Sequence, residues 1–376
     1  MKLLHVVGAR PNFMKVAPVI RAGRSRGCEQ TLVHTGQHYD AAMSDAFFRD
    51  LDLPQADVNL GVGSGSHAVQ TGRVMIEFEP VLDRIQPDWI LVYGDVNSTV
   101  ACALVAAKKG VQIAHVEAGL RSRDRTMPEE LNRLLTDQLA DLCLTPSRDG
   151  DENLLREGIG RNRIRFVGNV MVDTLLHLRE KARGTNAPER FGVAGKPYAF
   201  VTLHRPSNVD SPETLRELLL ALSDLARQMP VIFPIHPRTR GRIQEFGLVE
   251  VAEAVRLVDP LGYLETIGLV ERATLVLTDS GGLQEETTVL GIPCITARPN
   301  TERPVTVTEG TNRLVASTRA AVDAAVQSVL ASRGKAADRR QMPELWDGRA
   351  GERVIDAIVE GELRSTGKPQ SVPAPT

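Results

Sequence analysis

Leu277-Thr278-Asp279-Ser280-Gly281-Gly282-Leu283-Gln284-Glu285-Glu286 carries an apolar run straight into Ser-Gly-Gly and then into a helical pattern that stops at Gly291. This is a strand, a glycine turn and a helix in immediate succession. The glycines let a phosphate approach the backbone, and the helix amino end attracts an anion. Glu286 falls about one turn inside the helix, where a carboxylate can accept two hydrogen bonds from ribose hydroxyls. A glycine turn with acidic residues behind it is also good helix chemistry by itself. Nucleotide binding by Ser280, Gly281, Gly282 and Glu286 is the favoured reading. Thr301-Glu302-Arg303-Pro304 follows the next strand and offers Arg303 to a phosphate.

The same alternation runs through the chain. Short apolar segments at Leu3–Val7, Thr31–His34, Trp89–Val92, Gln112–His115, Leu142–Leu144 and Ile164–Val167 are separated by stretches of helical period such as Met14–Gly23 and Thr99–Lys108. Arg183-Gly184-Thr185-Asn186-Ala187-Pro188 interrupts the pattern and reads as a connector. Strands then resume at Tyr198–Leu203, Val231–Ile235, Val255–Val258, Thr274–Leu277, Cys294–Thr296 and Arg313–Ala316. This predicts an α/β protein of two doubly wound parallel-sheet domains. Ligands of such sheets sit beyond the carboxyl ends of the strands, so a cleft between the two domains is the expected site. A length of 376 residues also suits two domains.

Composition removes other classes. With 42% hydrophobic and 24% charged residues the chain is globular, and a net charge of -2 gives no global pull toward nucleic acid or anionic membrane. No apolar run approaches the roughly 18 residues of a membrane span, and the start reads as a first strand, not a signal peptide. Cys28, Cys102, Cys143 and Cys294 lack metal or redox spacing, Cys102 and Cys143 being expected as buried small hydrophobes. These features point to the cytoplasm.

The remaining strand ends supply the chemistry. Arg10, in Gly8-Ala9-Arg10-Pro11, can reach a phosphate or stay a surface arginine beside a helix starting near Asn12. Asp95 lies between a strand ending at Tyr93 and a helix starting near Ser98. It is free for function if Asn97 or Ser98 caps that helix. Glu117 leaves a buried strand into a glycine turn, where it either works or forms a salt bridge with Arg121 or Arg123. Thr126 and Glu129 fit a capping box, with Leu131, Leu134, Leu135, Leu139 and Leu142 as the buried stripe behind it. His204 ends the first strand of the second domain, at the edge where it could contact a diphosphate or a sugar hydroxyl. His34 and His38 are poorly placed for a metal pair, with Gly36 between them, and no metal is expected.

The ordered set Gly8-Ala9-Arg10-Pro11, Gly94-Asp95, His115-Val116-Glu117-Ala118-Gly119-Leu120-Arg121, Pro128-Glu129-Glu130, His204-Arg205, Thr278–Glu286 and Thr301-Glu302-Arg303-Pro304 resembles the non-hydrolysing UDP-N-acetylglucosamine 2-epimerases over nearly the whole chain. The resemblance implies the GT-B fold, two Rossmann-like domains with the nucleotide sugar between them. Residues 1–170 would form the first domain, joined by a crossing helix at about 347–362. Residues 171–346 would form the UDP-binding domain, and 363–376 a disordered tail. It implies a homodimer that needs neither cofactor nor metal. The reaction would serve cell-surface polysaccharide precursors: anti elimination of UDP to a 2-acetamidoglucal, then re-addition with inverted configuration at carbon 2. Asp95, Glu117 and Glu129 match the family's acid/base carboxylates and His204 its active-site histidine. Arg10, Ser280, Gly281, Gly282 and Glu286 match its UDP-binding positions.

Three departures bear on substrate and regulation. Gln37-His38-Tyr39-Asp40-Ala41 stands where many members have Gln-His-Arg-Glu-Met, part of a site for activating UDP-N-acetylglucosamine. His204-Arg205-Pro206-Ser207-Asn208 replaces His-Arg-Arg-Glu-Asn, and Arg10-Pro11-Asn12 replaces Arg-Pro-Glu. These variants are similar to relatives acting on UDP-2,3-diacetamido uronic acids. A hydrolysing variant that releases UDP and N-acetylmannosamine, a GT-B glycosyltransferase and a catalytically silent nucleotide-sugar sensor are the other readings. The three carboxylates and His204 weigh against the last.

Overall fold

The computed structural model describes residues 1–36, 51, 53–332 and 342–366, except the side chains of Arg10 and of residues 362–366. The Gln37–Ala41 motif with His38, and the tail from residue 367, lie outside the described residues. The chain divides into a unit of residues 1–174 with 347 onward and a unit of residues 175–346.

In the first unit seven parallel strands are ordered β3-β2-β1-β4-β5-β6-β7. They are β1 (Lys2–Val7), β2 (Glu29–His34), β3 (Val58–Asn59), β4 (Trp89–Tyr93), β5 (Gln112–Val116), β6 (Leu142–Thr145) and β7 (Ile164–Phe166). Every residue of β4 and β6 is buried, because helices cover both faces of a parallel sheet. The connections hold α1 (Arg10–Ser25), α2 (His67–Ile85), α3 (Asn97–Lys109), α4 (Pro128–Leu139) and α5 (Arg148–Arg156), and α6 (Val170–Arg183) follows β7 and continues into the second unit. β3 has two residues, too few to carry a periodic signal.

The second unit repeats the plan with six parallel strands ordered β10-β9-β8-β11-β12-β13. They are β8 (Ala199–Thr202), β9 (Val231–Pro234), β10 (Arg256–Val258), β11 (Leu275–Thr278), β12 (Cys294–Ala297) and β13 (Asn312–Val315). Its main helices are α7 (Pro212–Ala226), α8 (Pro237–Glu245), α9 (Tyr263–Val270), α10 (Gly281–Leu290) and α11 (Arg319–Ser332). In both sheets strand order reverses at one point, between β1 and β4 and between β8 and β11. Doubly wound sheets open their binding crevices at such points.

The last helix, α12 (Ala350–Thr366), belongs to the first unit and packs on α1. Val354, Ile355 and Ile358 are buried in it. The Asp173 carboxylate accepts Ala350 N at 3.1 Å and Gly351 N at 2.7 Å, satisfying the helix's orphan amino end. The helix runs past Glu362, because its hydrogen-bonded turns continue to Thr366. Residues 183–188 do not link the units. Arg179 and Arg183 both bind Glu271, at 2.6 Å each, so this stretch is fastened inside the second unit.

Three local expectations are overturned. Thr126 caps nothing: α4 starts at Pro128 without a side-chain cap, and the Thr126 hydroxyl donates to Asp124 at 2.6 Å, the local alternative open to short polar side chains. The leucine stripe is not the buried face of α4. Leu131 and Leu135 are exposed, while Glu130, Asn132, Arg133, Thr136 and Asp137 are buried. The loops that α4 covers are rich in backbone polar groups, and those need polar partners. Asn97 and Ser98 lie inside α3, which follows Val96 with no side-chain cap. Asn97 donates to Gln70 at 2.8 Å, and the Ser98 and Thr35 hydroxyls meet at 2.7 Å. Cys102 and Cys143 are fully buried, as expected.

A Cβ on Gly351 would stand 2.7 Å from the Pro18 carbonyl oxygen of α1. Gly351→Ala is therefore expected to lower stability by about 1–3 kcal/mol through overpacking. Urea denaturation checks this, and an unchanged midpoint would show that α12 does not pack this closely.

Candidate active site

The first unit's site begins where β1 turns into α1. Asn12 Oδ1 accepts Gly8 N at 3.1 Å and Ala9 N at 3.0 Å, while its Nδ2 donates to the Tyr93 carbonyl at 2.8 Å. One side chain thus ties the ends of β1 and β4 across the switch point. One turn on, Lys15 is buried and ion-pairs with Glu117. The pair lies over the β4 turn: a Cβ on Gly94 would come within 2.6 Å of Lys15 Nζ and 3.0 Å of Glu117 Oε2. Glu117 therefore takes its cation from α1. Arg121 turns to Asp137 and Glu157, and Arg123 donates to Asn153, so neither serves as the expected partner. Lys15 was not singled out from the sequence. A lysine between Phe13-Met14 and Val16-Ala17, on an apolar helix, was the available signal.

Glu117 has φ = 76°, the left-handed region that costs a non-glycine residue energy. The loop is held there by Leu144, whose carbonyl accepts both Glu117 N and Ala118 N at 3.1 Å. Gly119 has φ = 81°, and a Cβ on it would lie 2.5 Å from the Gly150 carbonyl oxygen, so only glycine fits.

Asp95, at the neighbouring strand end, ion-pairs with Arg133 of α4, and its carbonyl accepts Asn132 Nδ2 at 2.8 Å. Of the two adjacent glutamates, Glu130 is buried and structural: it accepts Ser122 N at 2.8 Å, Arg123 N at 2.9 Å and Arg133 Nη1 at 3.0 Å. Glu129 is exposed on the first turn of α4. A positive charge thus stands beside Asp95 and another beside Glu117, at the ends of adjacent strands. Beneath both loops, burial pushes the Asp137 carboxyl up, but His115 and Arg121 outweigh it and hold it below the usual carboxylate range.

In the second unit Asp279 is wholly buried at the end of β11. It accepts His204 N and Arg205 N, each at 2.9 Å, and Asn208 Nδ2 at 3.1 Å. His204 Nδ1 lies 3.1 Å from its other oxygen, and the His204 ring is half-exposed. Burial raises the Asp279 carboxyl, and His204 with the two backbone donors brings it below its ordinary value. Ser280, Gly281 and Gly282 open α10, whose amino end has no side-chain cap. Arg303 lies against this turn, its Nη1 2.7 Å from where a Gly281 Cβ would be, and it pairs with Glu285 at 2.8 Å. Glu286 is buried on α10, and burial pushes its carboxyl up to about 7, the Tyr263 hydroxyl opposing this.

The structure brings together Asp95 and Glu117, and separately His204 with Ser280, Gly281 and Gly282. The Arg10 side chain lies outside the described residues. His34 ends β2, buried and stacked on Phe13 with ring centroids 5.4 Å apart. Among the described residues no group of three His, Cys, Asp or Glu side chains could hold a metal, and no helix is long and apolar enough to cross a membrane.

The family model described as UDP-N-acetylglucosamine 2-epimerase matches residues 21–359. A UDP-N-acetylglucosamine 2-epimerase of Methanocaldococcus jannaschii is 41% identical over 96% of this chain and 100% of its own length. A UDP-2,3-diacetamido-2,3-dideoxy-D-glucuronate 2-epimerase of Pseudomonas aeruginosa is 44% identical over 89% of this chain and 93% of its own. The crystal structure of the Methanocaldococcus jannaschii UDP-GlcNAc 2-epimerase in complex with UDP-GlcNAc and UDP superposes with a TM-score of 0.87 at 41% identity, covering 96% of this chain and 100% of that one. With matches of this extent, the chain belongs to the UDP-N-acetylglucosamine 2-epimerase family.

Proposed function

We propose that this enzyme interconverts UDP-N-acetylglucosamine and UDP-N-acetylmannosamine. The observation that carries the proposal is the pair Asp95 and Glu117 on adjacent strand ends, each beside a buried cation. Carbon 2 bears a poorly acidic proton, so epimerisation needs a route around direct deprotonation and return. A carboxylate takes that proton, the carbon 1–oxygen bond breaks with its electron pair leaving on UDP, and a carbon 1–carbon 2 double bond forms. UDP then adds back as an acid protonates the opposite face, so no redox change occurs. Asp95, Glu117 and Glu129 are the acid/base groups in this reading, since the task needs proton acceptor and donor on two faces. His204, backed by Asp279, faces the diphosphate.

The amino end of α10, with Ser280, Gly281 and Gly282, suits the phosphates of a nucleotide sugar. Arg10 and Arg303 are the assigned phosphate cations, and Glu286 binds the ribose diol. A UDP-sugar substrate places the enzyme in the cytoplasm, supplying precursors of cell-surface polysaccharide. The Pseudomonas aeruginosa relative favours a second substrate, a diacetamido uronic acid linked to UDP.

We further propose a homodimer. Val69 and Ile76 of α2 and Leu131 and Leu135 of α4 are exposed on the two helices that flank α3. A pair of copies would cover them.

Proton NMR of UDP-N-acetylglucosamine with the enzyme in heavy water should yield UDP-N-acetylmannosamine carrying deuterium at carbon 2. Free N-acetylmannosamine would mean the hydrolysing reaction. Turnover of the diacetamido uronic acid compound alone would move the substrate to that class. Asp95→Asn should lower kcat by roughly 10²–10⁴-fold, and retained turnover would remove Asp95 from the chemistry.

Glu286 must be ionised to accept both ribose hydroxyls, and its pKa of about 7 in the free protein makes ionisation costly below neutrality. UDP affinity should therefore rise from pH 6 to pH 8, by about tenfold more in the wild type than in Glu286→Gln. Calorimetry reads this, and parallel profiles would reject the assignment. Light scattering should give a dimer for the wild type and a monomer for Ile76→Glu with Leu135→Glu. A dimer in both would place the interface elsewhere.

A further inference from the structure

The two carboxylate loops share one support, and it touches neither carboxylate. Asp137, on α4, is wholly buried. Its Oδ1 lies 2.6 Å from His115 Nδ1, and its Oδ2 accepts Gly119 N at 3.1 Å and lies 2.7 Å from Arg121 Nη2. His115 is also wholly buried, on β5 two residues before Glu117, and its Nε2 donates to the Gly94 carbonyl at 2.8 Å. That carbonyl belongs to the peptide that carries Asp95 N. One carboxylate thus reaches the backbone entering Asp95 through His115, and the backbone leaving Glu117 through Gly119.

The Glu117 loop needs such a restraint. Gly94, Glu117 and Gly119 have φ of 63°, 76° and 81°, and Glu117 is held in that region against its own side-chain sterics. Left alone, Glu117 would relax toward negative φ and swing its carboxylate away from Lys15.

We infer that Asp137 and His115 form a positioning pair that sets the backbone of Asp95 and Glu117 for acid/base chemistry. The inference rests on the epimerase reading for its kinetic consequence and on geometry alone for its structural one. Misplacing a reacting group by about 1 Å costs on the order of a hundredfold in rate.

Two substitutions at one position separate positioning from bulk packing. The amide nitrogen of asparagine stands where Nδ1 stood, and that of glutamine where Nε2 stood. His115→Asn keeps the bond to Asp137 and loses the one to Gly94, whereas His115→Gln keeps the bond to Gly94. Both remove the ring, so a purely structural role predicts equal losses.

The full-length wild type and both variants are assayed by carbon 2 deuterium exchange on the nucleotide sugar the wild type turns over. UDP affinity is measured alongside. His115→Asn should lose about a hundredfold in kcat with UDP affinity unchanged, and His115→Gln, which keeps the Gly94 contact but cuts it off from Asp137, should fall between that variant and the wild type. Equal kcat losses in the two variants, or losses that follow UDP affinity, would overturn the inference. Crystal structures of the variants give a readout that does not depend on turnover. In His115→Asn the Gly94–Asp95 peptide should rotate and Asp95 should part from Arg133, while in His115→Gln both stay. An unmoved loop in His115→Asn would also overturn it. If the wild type turns over neither UDP-sugar, the epimerase reading fails, and the two crystal structures still decide the positioning claim.

Discussion

A carboxylate that is wholly buried and must be satisfied by hydrogen-bond donors governs the architecture of both units. Asp279 in one and Asp137 in the other have no solvent to turn to. A buried anion without partners is prohibitively costly, so the chain must bring donors to it. In the second unit those donors are the backbone N–H groups of His204 and Arg205 and the Asn208 amide. In the first they are Gly119 N, the His115 ring and Arg121. Each aspartate therefore imposes a conformation on the loop beyond a strand. A parallel sheet positions its strands by ladder bonds but leaves the loops beyond them free, and the buried carboxylates take over where the ladder stops.

This arrangement explains how a glutamate can occupy a glycine's conformation. The positive φ of Glu117 is destabilising locally and is offset by bonds from Leu144 to two successive amides and by the fixed Gly119 beyond. The same logic places glycine at 94 and 119, where neighbouring atoms leave no room for a Cβ. The strain is tied to direction: it turns the Glu117 carboxylate back over β4, toward Lys15 and beside the turn that carries Asp95.

The strands were legible because a parallel strand buried on both faces is a bare apolar run. Trp89–Tyr93 can be read directly, and its end locates Asp95. The glycine turn at 280–282 was legible because strand, glycine and helix follow without interruption. What the sequence could not display was the side of a helix that faces a polar loop. The leucines of α4 have the spacing of a buried stripe, and that rule fails when the neighbour is not a sheet face but a cluster of backbone amides and carbonyls. Lys15 was hidden for the converse reason. It is a charged residue on a buried helix face, and only the fold reveals the carboxylate that compensates it. The Thr126 cap failed because Asp124, two residues earlier, competes for the same hydroxyl.

The inverted helix α4 links these points. Its inner face carries Glu130, Arg133 and Asp137, at helical spacing of three and four, and these three grip the loop after Glu117, the Asp95 side chain and the backbone beneath both. Turning those residues inward forces Leu131 and Leu135 outward, since the faces of one helix cannot be chosen independently. An exposed apolar ridge is thus the geometric consequence of using a helix to support a polar site. A second copy of the chain, by covering that ridge, would press on the helix that holds the Asp95 side chain and the turn after Glu117. The ridge and the polar support are therefore two faces of a single helix, and α4 cannot shift without moving Asp95 and the turn after Glu117.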